Sequence, residues 1–237
     1  MPQRLGGRAA SHVAGPGMAR LALPKHLSGQ VQAAVECLRS GGVVAFPTDT
    51  VYGLGVDFLS RQAVLRVLEM KGRPEHLGLP LLLAKVEALE EVAAELSEGA
   101  WRLARAFWPG ALTLVVRRVP HIPDIITGGR DTVAVRVPGH PVPRALARGL
   151  GRPITGTSAN RSGQPPARTA EEVRGQLGAW VDLVLTGGPV PGGRESTIVD
   201  LTGPEPRLLR AGAIPLEDVL TAHDGHPGRV RPRRVSV

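Results

Sequence analysis

The chain has 237 residues, 42% of them hydrophobic and 21% charged, which is enough for one domain with a sizeable core. Its 29 Lys and Arg against 21 Asp and Glu give a formal charge of +8 and call for an anionic partner such as a nucleotide, phosphate or nucleic acid. Cys37 is the only cysteine, which excludes an internal disulfide and a cysteine metal cluster, and no apolar run approaches the ~20 residues of a membrane span.

Residues 1–23 carry arginine but lack the apolar stretch of a secretory signal, so they read as a flexible leader and the cytoplasm is the expected compartment. Ser28 is placed to cap a helix over 29–39, with Val31, Ala34, Val35 and Leu38 on one face. Gly41-Gly42 ends that helix and opens the stretch on which the rest turns, GGVVAFPTDTVYGLGVD at 41–57. Val43 to Phe46 read as a buried strand, stopped by Pro47, which has no N–H to give a ladder. Thr48, Asp49, Thr50 and Tyr52 then gather three hydroxyls and a carboxylate at the strand's end. Gly53 and Gly55 are expected to permit a close ligand approach or a left-handed turn. This is how open α/β sheets build small-molecule sites, although a threonine-rich turn capping a helix has the same composition.

A helix from Ser60 to about Met70 follows, with Val64, Leu65, Val67 and Leu68 apolar. It ends at Lys71-Gly72-Arg73-Pro74. Pro74 biases Arg73 towards extended backbone, and side chains two apart on an extended segment share a face. Lys71 and Arg73 are thus read as a two-pronged cation suited to phosphate, with a solvated helix end as the alternative. Strands are expected at 79–83, 111–116 and 132–137, and helical segments between 86 and 107 and at 141–150. Trp101 and Trp108 read as core and turn anchors, and with aromatics at 3% base stacking has little to work with. Arg136 lies among Val133, Val135 and Val137 and needs a partner; an anionic ligand is expected, a structural carboxylate being the alternative.

Ile154 to Asn160 again places small polar residues at a strand end, with Ser158 and Asn160 two apart, as a binding pair or as an Asn-Arg-Ser-Gly turn. A helix at 171–177 and strands at 181–185 and 198–201 follow, and 216–220 is a final helical turn or two. GGRESTIV at 192–199 echoes GGRDTVAV at 128–135: glycine turn, charged pair, hydroxyl, strand. Arg229, Arg231, Arg233 and Arg234 crowd a tail read as flexible and basic, 222–237. The scattered histidines offer no metal site, and neither a Walker A sequence, a GxGxxG nor a Gly-x-Ser-x-Gly elbow occurs. The hydroxyls and cations gather instead at several strand ends, which describes a composite pocket.

Seven blocks then stand in order: PTDTVYGLG at 47–55, KGRP at 71–74, WPGALTLVV at 108–116, DTVAVRVPGHP at 131–141, TSAN at 157–160, ESTIVD at 195–200 and LLRAG at 208–212. Together they resemble the YrdC-like threonylcarbamoyl-AMP synthase family over about residues 28–220. The resemblance implies an α/β domain at 24–221, a twisted open mixed sheet with flanking helices around a basic concave cavity. It implies a nucleotidyltransferase that makes threonylcarbamoyl-AMP and pyrophosphate from L-threonine, bicarbonate and ATP, with Mg²⁺ carried by ATP and no protein metal site. The product would pass to a separate threonylcarbamoyl transferase complex that modifies tRNA beside the anticodon, and the basic surface is a candidate for tRNA contact. It places Lys71 and Arg73 at the reacting phosphates, Thr48, Thr50, Arg136, Ser158 and Ser196 on the substrate, and Lys71, Arg73, Thr127, Ser158, Asn160 and Arg210 on ATP. The chain departs from the family at Leu77-Gly78, where a polar residue and a proline are usual, which puts one ligand contact in question. A nucleotide- or RNA-binding module of the same fold, or a carbamoyl-adenylate enzyme with another substrate, are the alternative functions.

Overall fold

The computed structural model of the protein describes residues 23–225 except 73, 189, 192 and 193. Residues 1–22 of the expected leader, Arg73 and the four tail arginines therefore lie outside the described residues, whereas Leu23 is partly buried against the core. Helix α1 (Lys25–Arg39) begins a turn earlier than Ser28. Leu27 extends the buried stripe of Val31, Ala34, Val35 and Leu38 by one turn, and Pro24, with φ −55°, starts the helix from a residue that has no N–H to satisfy. Ser28 is left on the exposed face.

Strand β1 (Val44–Phe46) is wholly buried and ends before Pro47 as expected. It pairs antiparallel with β2 (Gly53–Gly55) and parallel with β8 (Leu183–Val184), and β2 pairs in turn with β7 (Thr157–Ser158). The glycines of β2 are therefore strand residues, neither with positive φ. Their reason is packing: a Cβ would stand 2.9 Å from the Phe46 ring at Gly53, and 2.8 Å from both that ring and the Thr155 carbonyl oxygen at Gly55. Phe46 lies across β2, and a side chain there has nowhere to go.

The other strands form a second mixed sheet of six, in the order β10 (Arg207–Arg210), β9 (Thr197–Asp200), β4 (Leu112–Arg117), β5 (Thr132–Arg136), β3 (Leu81–Leu82) and β6 (Ile154–Thr155). The two echoing glycine-led segments become β5 and β9, on either side of β4. The seam between the sheets is stitched where the Thr155 N–H donates to the Val56 carbonyl (2.9 Å) and the Val56 N–H to Thr155 Oγ1 (3.0 Å). Fully buried Thr155 thus serves both ladders.

Helix α2 (Arg61–Met70) starts at Ser60, whose hydroxyl accepts from the Ala63 N–H. The two-part helical segment resolves into a 3₁₀ stretch (Val86–Glu91) and α3 (Glu98–Phe107). A short α4 (Asp124–Thr127) precedes β5, and α5 (Pro141–Leu150) has the expected bounds, as α6 (Ala170–Leu177) has to within a residue. Helix α7 (Leu216–His223) runs past residue 221, because Arg102 Nε donates to the His223 carbonyl (2.7 Å) and Gly99 makes room for the His223 ring. Trp108 is buried with Nε1–H donating to the Leu112 carbonyl (2.7 Å), and Arg105 lies over the Trp101 ring, 5.4 Å from its centre, so both tryptophans are anchors. Among the described residues no helix is long and apolar enough to cross a membrane.

Candidate active site

A cavity of about 230 Å³ opens between the two sheets. Each of the seven sequence blocks supplies a wall residue: Thr48, Lys71, Thr113, Arg136, Ser158, Ser196 and Arg210. They arrive there because β2 and β7 of one sheet face β3, β4, β5, β9 and β10 of the other.

The threonine loop folds on its own hydroxyls. Thr48 Oγ1 donates to the Val51 carbonyl (2.6 Å), accepts from the Thr50 N–H (3.1 Å) and stands 3.1 Å from Thr50 Oγ1. Both threonines are buried and line the cavity, and no helix follows for them to cap. Tyr52, fully buried, donates its hydroxyl to the Leu185 and Gly188 carbonyls (3.3 and 3.2 Å). Burial raises its pKa, so it stays a protonated donor at neutral pH.

Lys71 differs from its extended reading. It is the C-cap of α2, in helical conformation, and Gly72 at φ +52° turns the chain out of the helix. The ammonium group reaches the Thr-Ser-Ala-Asn segment, donating to the Ser158 carbonyl (2.8 Å), the Asn160 carbonyl (2.8 Å) and Asn160 Oδ1 (2.7 Å). The K-x-R and S-x-N elements are joined directly by this one side chain. Asn160 is also the turn residue of the alternative reading, since its Nδ2 donates to the Arg161 and Gln164 carbonyls. It supports Lys71 from behind the wall rather than lining the cavity.

Arg136 has the structural carboxylate that was the less expected partner. Its Nη2 donates to Asp49 Oδ2 (2.7 Å) and its Nε to the Gly110 carbonyl (2.7 Å), while the side chain, only 9% exposed, still lines the cavity. Asp49 sits just after β1, and Gly139 leaves it room, since a Cβ there would stand 2.9 Å from Oδ2. Asp49 Oδ1 is buried and has no hydrogen-bond partner among the described residues. Nearby His140 caps α5 by accepting from the Val142 N–H at Nδ1. Burial lowers its pKa despite the charge of Asp49, which keeps the imidazole neutral for that cap.

On the opposite wall, Ser196 Oγ stands 2.8 Å from Thr113 Oγ1, and Arg210 bonds both the carbonyl and the hydroxyl of Ser196 and the carboxylate of Glu195. A bulge between Leu208 and Arg210 aims this arginine inward. Thr127 is not brought to the cavity. Its hydroxyl donates to the Asp124 carbonyl within α4, beside the turn where Gly78 (φ +58°) crosses the Ile126 carbonyl. Of the Leu77-Gly78 departure, the glycine has a packing reason there, because any Cβ at 78 would stand 2.4 Å from that oxygen. Thr113 and Glu195 are wall residues that sequence reasoning did not single out. Thr113, a hydroxyl inside the apolar run of β4, carried a readable signal; Glu195 carried none beyond its place in ESTIVD.

Residues 36–212 match the Sua5_yciO_yrdC family, described as "Telomere recombination". The chain is 44% identical over 190 residues to the threonylcarbamoyl-AMP synthase of Pyrococcus abyssi, covering 80% of this chain and 56% of that protein. It is 40% identical over 184 residues to the threonylcarbamoyl-AMP synthase of Vibrio vulnificus, covering 77% and 98%. Its fold superposes on the crystal structure of P. abyssi Sua5 complexed with L-threonine with a TM-score of 0.78 at 43% identity, covering 82% of this chain and 57% of that one. It thus spans little more than half of the Pyrococcus protein but nearly all of the Vibrio one. Matched from α1 to the glycine that follows β10, the chain belongs to the Sua5/YciO/YrdC family.

Proposed function

We propose that this chain is an L-threonylcarbamoyladenylate synthase, making threonylcarbamoyl-AMP and pyrophosphate from L-threonine, bicarbonate and ATP. The observation that carries the reading is the convergence of all seven blocks on one cavity whose charged wall residues, among those described, are Lys71, Arg136 and Arg210 against Glu195. The names of the relatives in Pyrococcus and Vibrio, and the L-threonine in the Pyrococcus crystal structure, point the same way. At about 230 Å³ the open cavity is large enough to take an amino acid.

In this reading Arg136 meets the threonine carboxylate, and Thr48, Thr50 and the hydroxyls of Ser158 and Ser196 orient the substrate's oxygens. The threonine amine first captures carbon dioxide supplied by bicarbonate. A carbamate oxygen then bonds to the α-phosphorus while the bond to the bridging oxygen breaks, and pyrophosphate leaves with that electron pair. Such a step asks for alignment and neutralisation of phosphate charge rather than a side-chain nucleophile. Lys71, Arg73 and Arg210 would supply that neutralisation, with Asn160 holding Lys71. Thr127 has no part in this assignment. In this reading Mg²⁺ enters with the ATP phosphates and adds to the charge neutralisation there. The product would be consumed by a cytoplasmic transferase complex acting on tRNA.

The test is pyrophosphate release from ATP, Mg²⁺ and bicarbonate by the wild-type chain, with L-threonine, with L-serine and with no amino acid. Release that depends on L-threonine is the expected result. A folded protein that releases none under any of these conditions would overturn the assignment and favour a binding module of the same fold.

A further inference from the structure

The strongest unassigned feature is the carboxylate inside an otherwise cationic cavity. Glu195 is the sole Asp or Glu on the wall among the described residues, and its Oε2 accepts from Arg210 Nη1 at 2.8 Å. Arg210 does not need this bond to hold its place. Its Nε and Nη2 donate to the Ser196 carbonyl (3.1 and 2.9 Å) and Nη2 also to Ser196 Oγ (3.1 Å). The guanidinium plane is therefore set by the start of β9, and Nη1 is the nitrogen left for an anion. Glu195 takes that seat with a side chain that can leave it: the pair is 39% and 40% exposed, where ion pairs are weak and exchange readily. The backbone need not follow, because the Glu195 carbonyl is held by the Ala213 N–H (2.9 Å) and the segment is pressed against Gly212, where a Cβ would stand 2.3 Å from the Thr197 nitrogen.

We propose that Glu195 is a specificity-determining residue: in the ligand-free site it acts as a built-in counterion on Arg210, and a phosphate-bearing ligand must displace it to use that arginine. A singly charged anion competes poorly with a resident carboxylate, whereas a polyphosphate brings several charges and a forked oxygen array that suits guanidinium. The carboxylate thus restricts the seat to highly charged phosphates. This inference rests on the reading of the cavity as a polyphosphate site and adds the residue that sets its selectivity.

The experiment is calorimetric titration of inorganic pyrophosphate into the wild-type chain, Glu195→Gln and Glu217→Gln. Glu217 is exposed at the start of α7, so its substitution removes one negative charge away from the cavity. Glu195→Gln should bind pyrophosphate about 2- to 5-fold more tightly than wild type, the range that loss of one weak competing ion pair gives, with Glu217→Gln near wild type. Equal or weaker binding by Glu195→Gln, or an equal gain in Glu217→Gln, overturns the counterion role and leaves the polyphosphate site standing. Absence of pyrophosphate binding in all three overturns both. Thermal unfolding of the three ligand-free proteins checks that each is folded, and Glu195→Asp, which keeps the charge, should stay closer to wild type than Glu195→Gln.

Discussion

Replacing Lys71 with methionine keeps the stem of the side chain and removes its charge, and its consequence for the fold can be worked from the ammonium group's partners. Lys71 is 8% exposed, and three of its bonds, to the Ser158 carbonyl, the Asn160 carbonyl and Asn160 Oδ1, measure 2.7–2.8 Å. Hydrogen bonds from a charged donor are worth about 1.5–3 kcal/mol each, but the burial cost of the ammonium disappears with it, so the three do not add. The cavity also lets water reach some of the abandoned acceptors. A net loss of about 2–4 kcal/mol of stability is expected, read as the shift in urea midpoint at constant slope. The loss should have an address. The Ala159 N–H donates to the Tyr52 carbonyl (2.8 Å) and holds the same segment on β2, so its hydrogen exchange should accelerate more than that of β4 amides. A Lys71→Met protein within about 0.5 kcal/mol of wild type, with unchanged Ala159 exchange, would refute the claim that this lysine ties α2 to the Thr-Ser-Ala-Asn segment. Loss of pyrophosphate release in Lys71 variants therefore combines a missing charge with a loosened wall, and only the comparison of stability with turnover separates them.

Asp49→Asn keeps the shape beside Arg136 and removes its charge partner, so the variant should be about 2–3 kcal/mol less stable. If Arg136 meets the substrate carboxylate, L-threonine should raise the melting temperature of Asp49→Asn more than that of wild type; an equal or smaller rise counts against that role. Gly55→Ala forces a methyl against the Phe46 ring and the Thr155 carbonyl oxygen, both at 2.8 Å, and should cost about 1–3 kcal/mol. Gly175→Ala in α6, with nothing within 4 Å, should stabilise by about 0.5–1 kcal/mol, and a reversed order in urea melts would refute the packing account of β2. Burial acts to raise the Asp182 pKa, but the hydrogen bond from Arg66, the Val43 N–H and the Arg66 charge outweigh it and hold the value below 3.8. A depressed carboxylate stabilises above its unfolded pKa and loses that contribution as pH falls through the folded value. The stability gap between wild type and Asp182→Asn should therefore be constant from pH 7 to 5 and close below 3.8; a gap that widens in acid would contradict it.

The strands and helices were largely legible because their signals are local. The bounds of α5 follow from a proline start and a glycine stop, Pro141 and Gly151, and those of α2 from Ser60 and the Lys71-Gly72 exit. What sequence hides is what depends on a partner brought from elsewhere. Gly53 and Gly55 look like loop glycines, and become strand residues only because Phe46 lies over them. At Lys71 the backbone departs from the extended reading, because the helix keeps its conformation through that residue and Gly72 makes the exit. Thr127 lies outside the seven blocks and was expected on ATP only from the resemblance, and its hydroxyl donates to the Asp124 carbonyl within α4. The division into two sheets was also beyond reach, since it is decided at Thr155, one residue in a stretch of small polar side chains.

The cations of the cavity show why counting charge overstates how bare a basic site is. Arg136 is matched by Asp49, Arg210 by Glu195, and Lys71 by a set of oxygens on the facing segment. Leaving the buried cations Lys71 and Arg136 uncompensated between two sheets would be costly, and the ligand-free site satisfies both from within, as it does the more exposed Arg210. The three compensations differ in kind. Neutral oxygens hold Lys71 and can remain when a phosphate arrives, because an ammonium keeps its charge while sharing donors. Asp49 is packed against Gly139 and is fixed, so Arg136 can offer a ligand only what Asp49 leaves over. Glu195 alone is half-exposed on a side chain that can swing away. Selectivity for a multiply charged ligand then resides in the weakest of the three pairs, and strengthening that pair should make the cavity more selective and slower to fill.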